Sequence, residues 1–107
     1  MIAWLLAFVA TCAIEVAIVY WLGPPLRRRV PVALAAQLAT HPFVWLAMAS
    51  LPGSQLARLA CVELWATLVE TAVYKRFLAM RGRDAFVLSA LANAASLLAV
   101  SAVALLF

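Results

Sequence analysis

Four ionisable side chains lie inside stretches of the chain that are otherwise apolar: Glu15, His41, Glu63 and Glu70. An ionisable side chain at bilayer depth costs about 2.5 to 3.5 kcal/mol by insertion scales, and it usually marks a binding site or an ion pathway. Close carboxyl groups in a low-dielectric interior can exchange protons or coordinate a cation, and an imidazole can relay protons. We therefore expect the chemistry of this protein to reside in these side chains.

Polar residues recur at helical spacing in all four apolar stretches. In the third stretch, the intervals of four, three and four residues place Glu63, Thr67, Glu70 and Tyr74 on one helix face. The other stretches carry Thr11 with Glu15, then Gln37 with Thr40 and His41, then Ser89 with Asn93 and Ser96. Such faces are costly against lipid, so the sequence predicts that all four point to a shared interior.

The residue types suggest a role for each member of this interior. We expect Glu15, Glu63 and Glu70 to be the titrating or cation-binding groups, and His41 to be a proton relay or a ligand. Gln37, Tyr74 and Asn93 are expected to be their orienting hydrogen-bond partners. The opposing interpretation is that the same polar groups only hold helices together, at roughly 0.6 to 2 kcal/mol per contact.

The composition is that of an integral membrane protein. The 107 residues are 69% hydrophobic and have a mean hydropathy of +1.11, whereas soluble domains are roughly 45 to 50% apolar. The apolar stretches are each close to the roughly 20 residues that cross a bilayer, and they cover about 2–22, 31–51, 56–74 and 85–107. The sequence therefore predicts an all-α polytopic membrane protein with a single domain, 1–107, built as a four-helix transmembrane bundle.

Basic residues are concentrated in two of the three loops. Seven of the eight lie in the first and third loops, which predicts that these loops are cytoplasmic and that both termini lie on the non-cytoplasmic side. Measured from the cytoplasmic ends, the polar side chains from Glu70 to Glu63 would lie about 8 to 18 Å deep. We therefore expect a cavity open toward the cytoplasm to reach them first. Contact with the lipid bilayer explains the charges, and no nucleic-acid motif is present.

The two halves of the chain resemble each other. Residues 36–40, Ala-Gln-Leu-Ala-Thr, resemble residues 92–96, Ala-Asn-Ala-Ala-Ser, and Thr11 with Glu15 resembles Thr67 with Glu70. Two repeated helical hairpins would be related by an axis along the membrane normal, and such repeat interfaces hold substrate in many transporters. Chance similarity between alanine-rich segments is the alternative.

Other chemistry has less support in the sequence. Pro42 either frees the carbonyl of Leu38 beside His41 or simply bends the second helix. Glutamate and histidine can bind divalent metals, but no compact ligand motif occurs, so whether a metal binds stays open. Cys12 and Cys61 lie within apolar stretches, no nucleophile elbow is present, and no cofactor is implied.

Three segments together resemble a group of small bacterial four-span membrane proteins. They are residues 37–42 with Thr-His-Pro, the acids Glu63 and Glu70 followed by Tyr74, and residues 91–96 with an Asn and a Ser. The resemblance covers nearly the whole chain and implies a multi-pass protein of the bacterial inner membrane, without implying an activity. Residues 13–16 also resemble the first helix of small multidrug resistance transporters, although this chain has no glycine in its spans and carries extra acids in the third.

The sequence leads to three hypotheses of function. The first is a transport protein that handles protons or small cations, acting as a homo-oligomer because four short helices enclose little volume. The second is a non-catalytic subunit or assembly factor of a larger membrane complex. The third is an intramembrane enzyme, which the absence of a catalytic motif makes the least favoured.

Overall fold

The computed structural model describes the backbone of residues 2–106 and the side chains of residues 5–102. It contains four helices: α1 (Ile2–Leu22), α2 (Arg29–Ser50), α3 (Gln55–Phe77) and α4 (Gly82–Leu106). The described part of the chain has no strand, so the predicted all-α fold is confirmed. Each helix end lies within three residues of its predicted position, with Phe107 of the fourth predicted span outside the described residues.

The helices end where the local chemistry requires it. At the end of α1, the Gly23 N–H donates to the Val19 carbonyl oxygen at 2.8 Å, and a Cβ on Gly23 would lie 2.4 Å from that oxygen. The N-cap of α3 is Ser54, whose hydroxyl accepts the Ala57 N–H at 3.1 Å. After α3, Ala79 adopts a left-handed φ of 53°, a conformation that glycine would take at lower cost.

The four helices form a closed ring in which each packs on two neighbours. α1 packs on α2 and α4, and α3 packs on the same two, whereas the backbones of diagonally opposite helices make no close approach over the described residues. The longest dimension is 37 Å, about the length of one such helix at 1.5 Å per residue, so the helices lie side by side. A bundle of sequential antiparallel neighbours explains this order.

The two ends of the bundle differ in charge. The first and third loops meet at one end, the basic end, where the Arg28 Nε donates to the Phe77 carbonyl oxygen. Arg29 stacks on the Tyr20 ring at 4.4 Å and donates to the Leu26 carbonyl oxygen at 2.9 Å. The second loop lies at the opposite end, the far end, where Arg58 Nη1 donates to the Met48 carbonyl oxygen at 2.9 Å. Arginine side chains thus hydrogen-bond to backbone carbonyl oxygens at both ends of the bundle.

Burial in this bundle differs from that in a soluble protein. Many large apolar side chains are exposed on the outside of every helix, among them Leu6, Leu38, Leu68 and Leu98. Eight of the buried side chains are polar or acidic: Glu15, Gln37, Thr40, Thr67, Glu70, Ser89, Asn93 and Ser96. The predicted polar stripes therefore do face a shared interior, and the apolar surface suits lipid.

Three helices are long and apolar enough to cross a membrane, over Leu5–Leu22, Arg29–Ser50 and Gly82–Ala102. α3 has 23 residues but falls short in composition, because it carries Arg58, Glu63, Glu70, Lys75 and Arg76. The structure is thus consistent with a membrane protein and has three candidate spans, one fewer than predicted. Pro42 lies inside α2, which continues as a single helix through it.

A cluster of buried side chains, the packed layer, fills the basic end of the bundle. Its members come from all four helices and the start of the third loop: Val19, Ala33, Ala36, Tyr74, Leu78, Ala85 and Leu88. The small alanines let the helices approach closely, which replaces the missing hydrophobic force between helices in lipid. This layer lies between the buried acids and the basic loops.

Candidate functional site

Glu70 is the centre of the buried polar network. Its side chain has no exposed surface, and each of its carboxyl oxygens accepts an amide hydrogen bond. Gln37 Nε2 on α2 donates to Oε1 at 2.6 Å, and Asn93 Nδ2 on α4 donates to Oε2 at 2.7 Å. One carboxyl group of α3 thus joins three helices at a single level of the bundle.

Asn93 is itself held in place by the turn before it. Its Nδ2 also donates to the Ser89 carbonyl oxygen at 2.9 Å and to the Ser89 hydroxyl at 3.3 Å. The Ser89 hydroxyl donates in turn to the Thr67 carbonyl oxygen on α3 at 3.0 Å. The amide of Asn93 is therefore oriented before it meets Glu70, and its nitrogen must point toward that carboxyl group.

Glu15 on α1 completes this level of the bundle, and its environment differs from that of Glu70. It is 1% exposed and close enough to Glu70 and Glu63 for electrostatic interaction. Neither of its carboxyl oxygens makes a hydrogen bond of good geometry within the described part of the chain, although Gln37 and the Glu70 carboxyl group both lie close enough to interact with it. Glu15 and Glu70, here named the carboxyl pair, thus combine one anchored acid with one unanchored acid.

A cavity of about 180 Å³, the central cavity, lies above the carboxyl pair. Glu15 lines it, together with Gln37 and Asn93, whereas Glu70 lies behind these residues. The lining also includes the hydroxyl-bearing residues Thr11, Thr40 and Ser96. Since one water takes about 30 Å³ in the liquid, a few waters or one small solute would fill this space.

The central cavity extends in the direction opposite to the expected one. From Glu15 its lining continues along the helices to Ala7, Trp45, Leu59 and Val100, which lie toward the far end. On the other side of the carboxyl pair, the packed layer separates it from the basic loops. The prediction of a cavity reaching the acids from the basic end is therefore wrong, because small and branched side chains close that end.

Glu63 and His41 line the upper part of the same cavity. Glu63 is half-buried on α3, two turns from Glu70, and interacts electrostatically with it. His41 is half-buried on α2, with its ring 5.0 Å from the Phe8 ring at an interplanar angle of 46°. The acids and the histidine therefore share one cavity, in two levels along the bundle axis.

Tyr74 lies on the other side of the carboxyl pair, within the packed layer. Its side chain is fully buried and within electrostatic range of Glu70 and Glu15. Its hydroxyl has no hydrogen-bond partner among the described residues, so the expected hydrogen bond to an acid is not formed. Of the three expected orienting partners, Gln37 and Asn93 contact an acid directly and Tyr74 does not.

Two residues of the cavity wall, Trp45 and Leu97, were not assigned to the site from sequence. Ser89 was expected to face the interior, and its role in orienting Asn93 was not predicted. The spacing could have identified both wall residues, because Trp45 follows His41 and Leu97 follows Asn93 by one helical turn. No group of three or more His, Cys, Asp or Glu side chains arranged to hold a metal ion occurs within the described side chains.

Comparison with known proteins identifies no relative of this chain. Protein-family models, curated proteins and solved structures show no significant similarity to the chain. The resemblance to small bacterial four-span proteins therefore stays a prediction from the motifs alone.

Proposed function

We propose that this protein handles protons or small cations within a membrane and that the carboxyl pair is its binding site. The observation that carries the proposal is the contrast between Glu70, which two amides anchor, and Glu15, which lines the central cavity and accepts no amide hydrogen bond of good geometry from the described residues. A buried acid without a hydrogen bond of good geometry is costly unless it binds something. A proton or a small cation arriving through the cavity would satisfy it.

The other cavity residues fit this role. Glu63 and His41 lie on the path from the far end to Glu15, where a second acid and an imidazole can pass on a proton or attract a cation. Thr11, Thr40 and Ser96 supply hydroxyl oxygens along the same wall. The path ends at the carboxyl pair, because the packed layer lies beneath it.

The proposal includes a fourth span, formed by α3. The exposed face of α3 is apolar and carries Leu56, Leu64, Trp65 and Leu68. Its acids face the interior, and its basic residues lie near its two ends, where long side chains can reach the headgroups. Under the positive-inside rule, the basic end would then be cytoplasmic and both termini non-cytoplasmic, as in a bacterial inner membrane.

A two-fold relation between the helical hairpins is consistent with the same proposal. Glu15 on α1 faces Glu70 on α3, and Gln37 on α2 and Asn93 on α4 approach Glu70 from two sides. In the ring of helices, the members of each pair lie on diagonally opposite helices. Repeated hairpins would produce this arrangement, with the site at their interface.

The test is proton flux into proteoliposomes that contain a pH-sensitive dye. Under an imposed pH gradient, we expect a dye response with the natural protein and its loss in Glu15→Gln, which keeps the size of the side chain and removes its titration. Cys12→Ser, a change on the same helix outside the cavity lining, should retain the response. The assay is repeated with sodium and with potassium gradients. If every protein gives the same response as empty liposomes under all of these gradients, the proposal is refuted.

The second candidate is a membrane subunit or assembly factor whose polar network fixes helix register. The anchoring of Glu70 by α2 and α4 favours it, because three helices depend on one carboxyl group. This candidate predicts that Glu15→Gln has no phenotype and that changes at Gln37 or Asn93 weaken assembly. The first candidate thus depends on Glu15 and the second on the hydrogen bonds of Glu70, so substitutions at the two sites distinguish the candidates.

A further inference from the structure

A second site lies at the basic end, remote from the carboxyl pair. A groove of about 540 Å³ runs between the end of α1 and the start of α4, with the third loop above it. Its walls include Leu22, Val87 and Leu91, which are exposed, and its floor includes the buried Leu78 and Leu88. The groove is therefore open to the lipid side of the bundle along an apolar surface.

The charged residues that line the groove lie at its loop end. Among its lining residues, Arg81 and Asp84 are the charged ones, and both are exposed. From Asp84 to Leu91 the groove follows α4 for about 10 Å. It thus has a charged head at the level of the headgroups and an apolar tail that points into the bilayer.

The pairing of one guanidinium with one carboxylate selects among lipid headgroups. We propose that this groove binds a phospholipid with a primary-amine headgroup. Arg81 contacts the phosphate, Asp84 accepts hydrogen bonds from the ammonium group, and the acyl chains lie against the leucines of the groove. A quaternary ammonium has no N–H to donate, and a glycerol headgroup brings no positive charge to Asp84.

The position of Asp84 is the reason for this choice over an anionic lipid. Seven basic residues lie at the basic end, and anionic lipids are attracted to all of them. Apart from Glu15, Glu63 and Glu70, Asp84 is the one acid of the chain, and it lines this groove. A carboxylate there repels an anionic headgroup and attracts an ammonium group.

The test measures lipids retained by the purified full-length protein by native mass spectrometry. The protein is exposed to an equimolar mixture of phosphatidylethanolamine, phosphatidylcholine and phosphatidylglycerol with identical acyl chains. We expect phosphatidylethanolamine to be retained in preference to the other two by about two- to fivefold, the factor that an exposed charged contact provides. Asp84→Asn should remove the preference, and Arg81→Gln should lower the retention of all three.

Arg83→Gln is the matched control, since Arg83 lies between the two residues and does not line the groove. It should leave both retention and preference unchanged, with helicity measured by circular dichroism in every variant. Equal retention of the three lipids, a preference for phosphatidylglycerol, or equal losses in Arg83→Gln and Arg81→Gln would overturn the proposal.

Discussion

Glu15 and Glu70 approach each other across the bundle interior, yet the surrounding helices hold only Glu70. Amide groups from α2 and α4 donate to its two carboxyl oxygens at 2.6 and 2.7 Å. The oxygens of Glu15 accept no hydrogen bond of good geometry from the described residues, and Glu15 lines the central cavity. Two residues of the same type at one level therefore have different surroundings, and the effect of this difference can be measured.

Replacing Glu15 with leucine should stabilise the protein. The change removes a buried acid that makes no hydrogen bond of good geometry with the described residues, and the burial of such a group costs about 1 to 3 kcal/mol. Gln37→Leu at the same level should have the opposite effect, since it leaves Glu70 Oε1 without its donor. Free energies of unfolding in detergent micelles check both changes, and a loss of stability in Glu15→Leu as large as that in Gln37→Leu would contradict the assignment.

Replacing Asn93 with alanine should destabilise the bundle by about 1 to 2 kcal/mol. The change removes a nitrogen that contacts Glu70 and two oxygen atoms of Ser89. Ser96→Ala is the control, because the Ser96 hydroxyl donates to the Asn93 carbonyl oxygen within one helix. Thermal unfolding should show the smaller loss for Ser96→Ala, and equal losses would mean that Asn93 does not join helices.

Replacing Tyr74 with phenylalanine should leave stability unchanged or raise it. The hydroxyl is buried in the packed layer and has no partner among the described residues, so its removal ends a desolvation cost. The ring, which fills the layer, is retained. A loss of more than about 1 kcal/mol in the same unfolding measurement would show that the hydroxyl is bonded, for example to a bound water.

Replacing Ala79 with glycine should stabilise the protein by about 1 kcal/mol, because φ is 53° at this exposed position. Ala72→Gly is the matched control, since Ala72 is exposed within α3. There the same substitution should destabilise by about 1 kcal/mol. Unfolding free energies with the same sign at both positions would contradict the left-handed conformation of Ala79.

Cysteine labelling should show that the central cavity is reached from the far end. In a background with Cys12→Ser and Cys61→Ser, Thr11→Cys should react with a membrane-impermeant thiol reagent applied to the side that holds the termini. Ser89→Cys, at a fully buried position near the carboxyl pair, should stay unmodified. Modification of Thr11→Cys only from the side of the basic loops would contradict the observed direction of the cavity.

The sequence was sufficient for the helices and for the faces that they turn inward. Gly23, Pro24, Pro52, Gly53 and Gly82 interrupt hydropathy where the helices end or begin, so the helix bounds were predicted to within three residues. Spacing of three and four residues identified the buried faces, because it depends only on helix geometry.

The anchoring of Glu70 and the direction of the cavity could not be predicted in the same way. Which acid meets the amides of Gln37 and Asn93 depends on the rotation and side-chain torsions of three helices, which spacing does not define. The closed basic end depends on how tightly Ala33, Ala36 and Ala85 let the helices pack. Counting residues along each helix separately predicts neither the hydrogen-bond partners of Glu70 nor the packing at the basic end.

The packed layer beneath the carboxyl pair determines what kind of turnover this bundle could support. A continuous pore conducts while it stands open, but here side chains from all four helices close the route under Glu15. Any ion released on that side needs the helices to separate and then close again in each cycle. Throughput would accordingly be limited by a conformational step, on the microsecond to second timescale of such rearrangements, as in a carrier that alternates between two shapes.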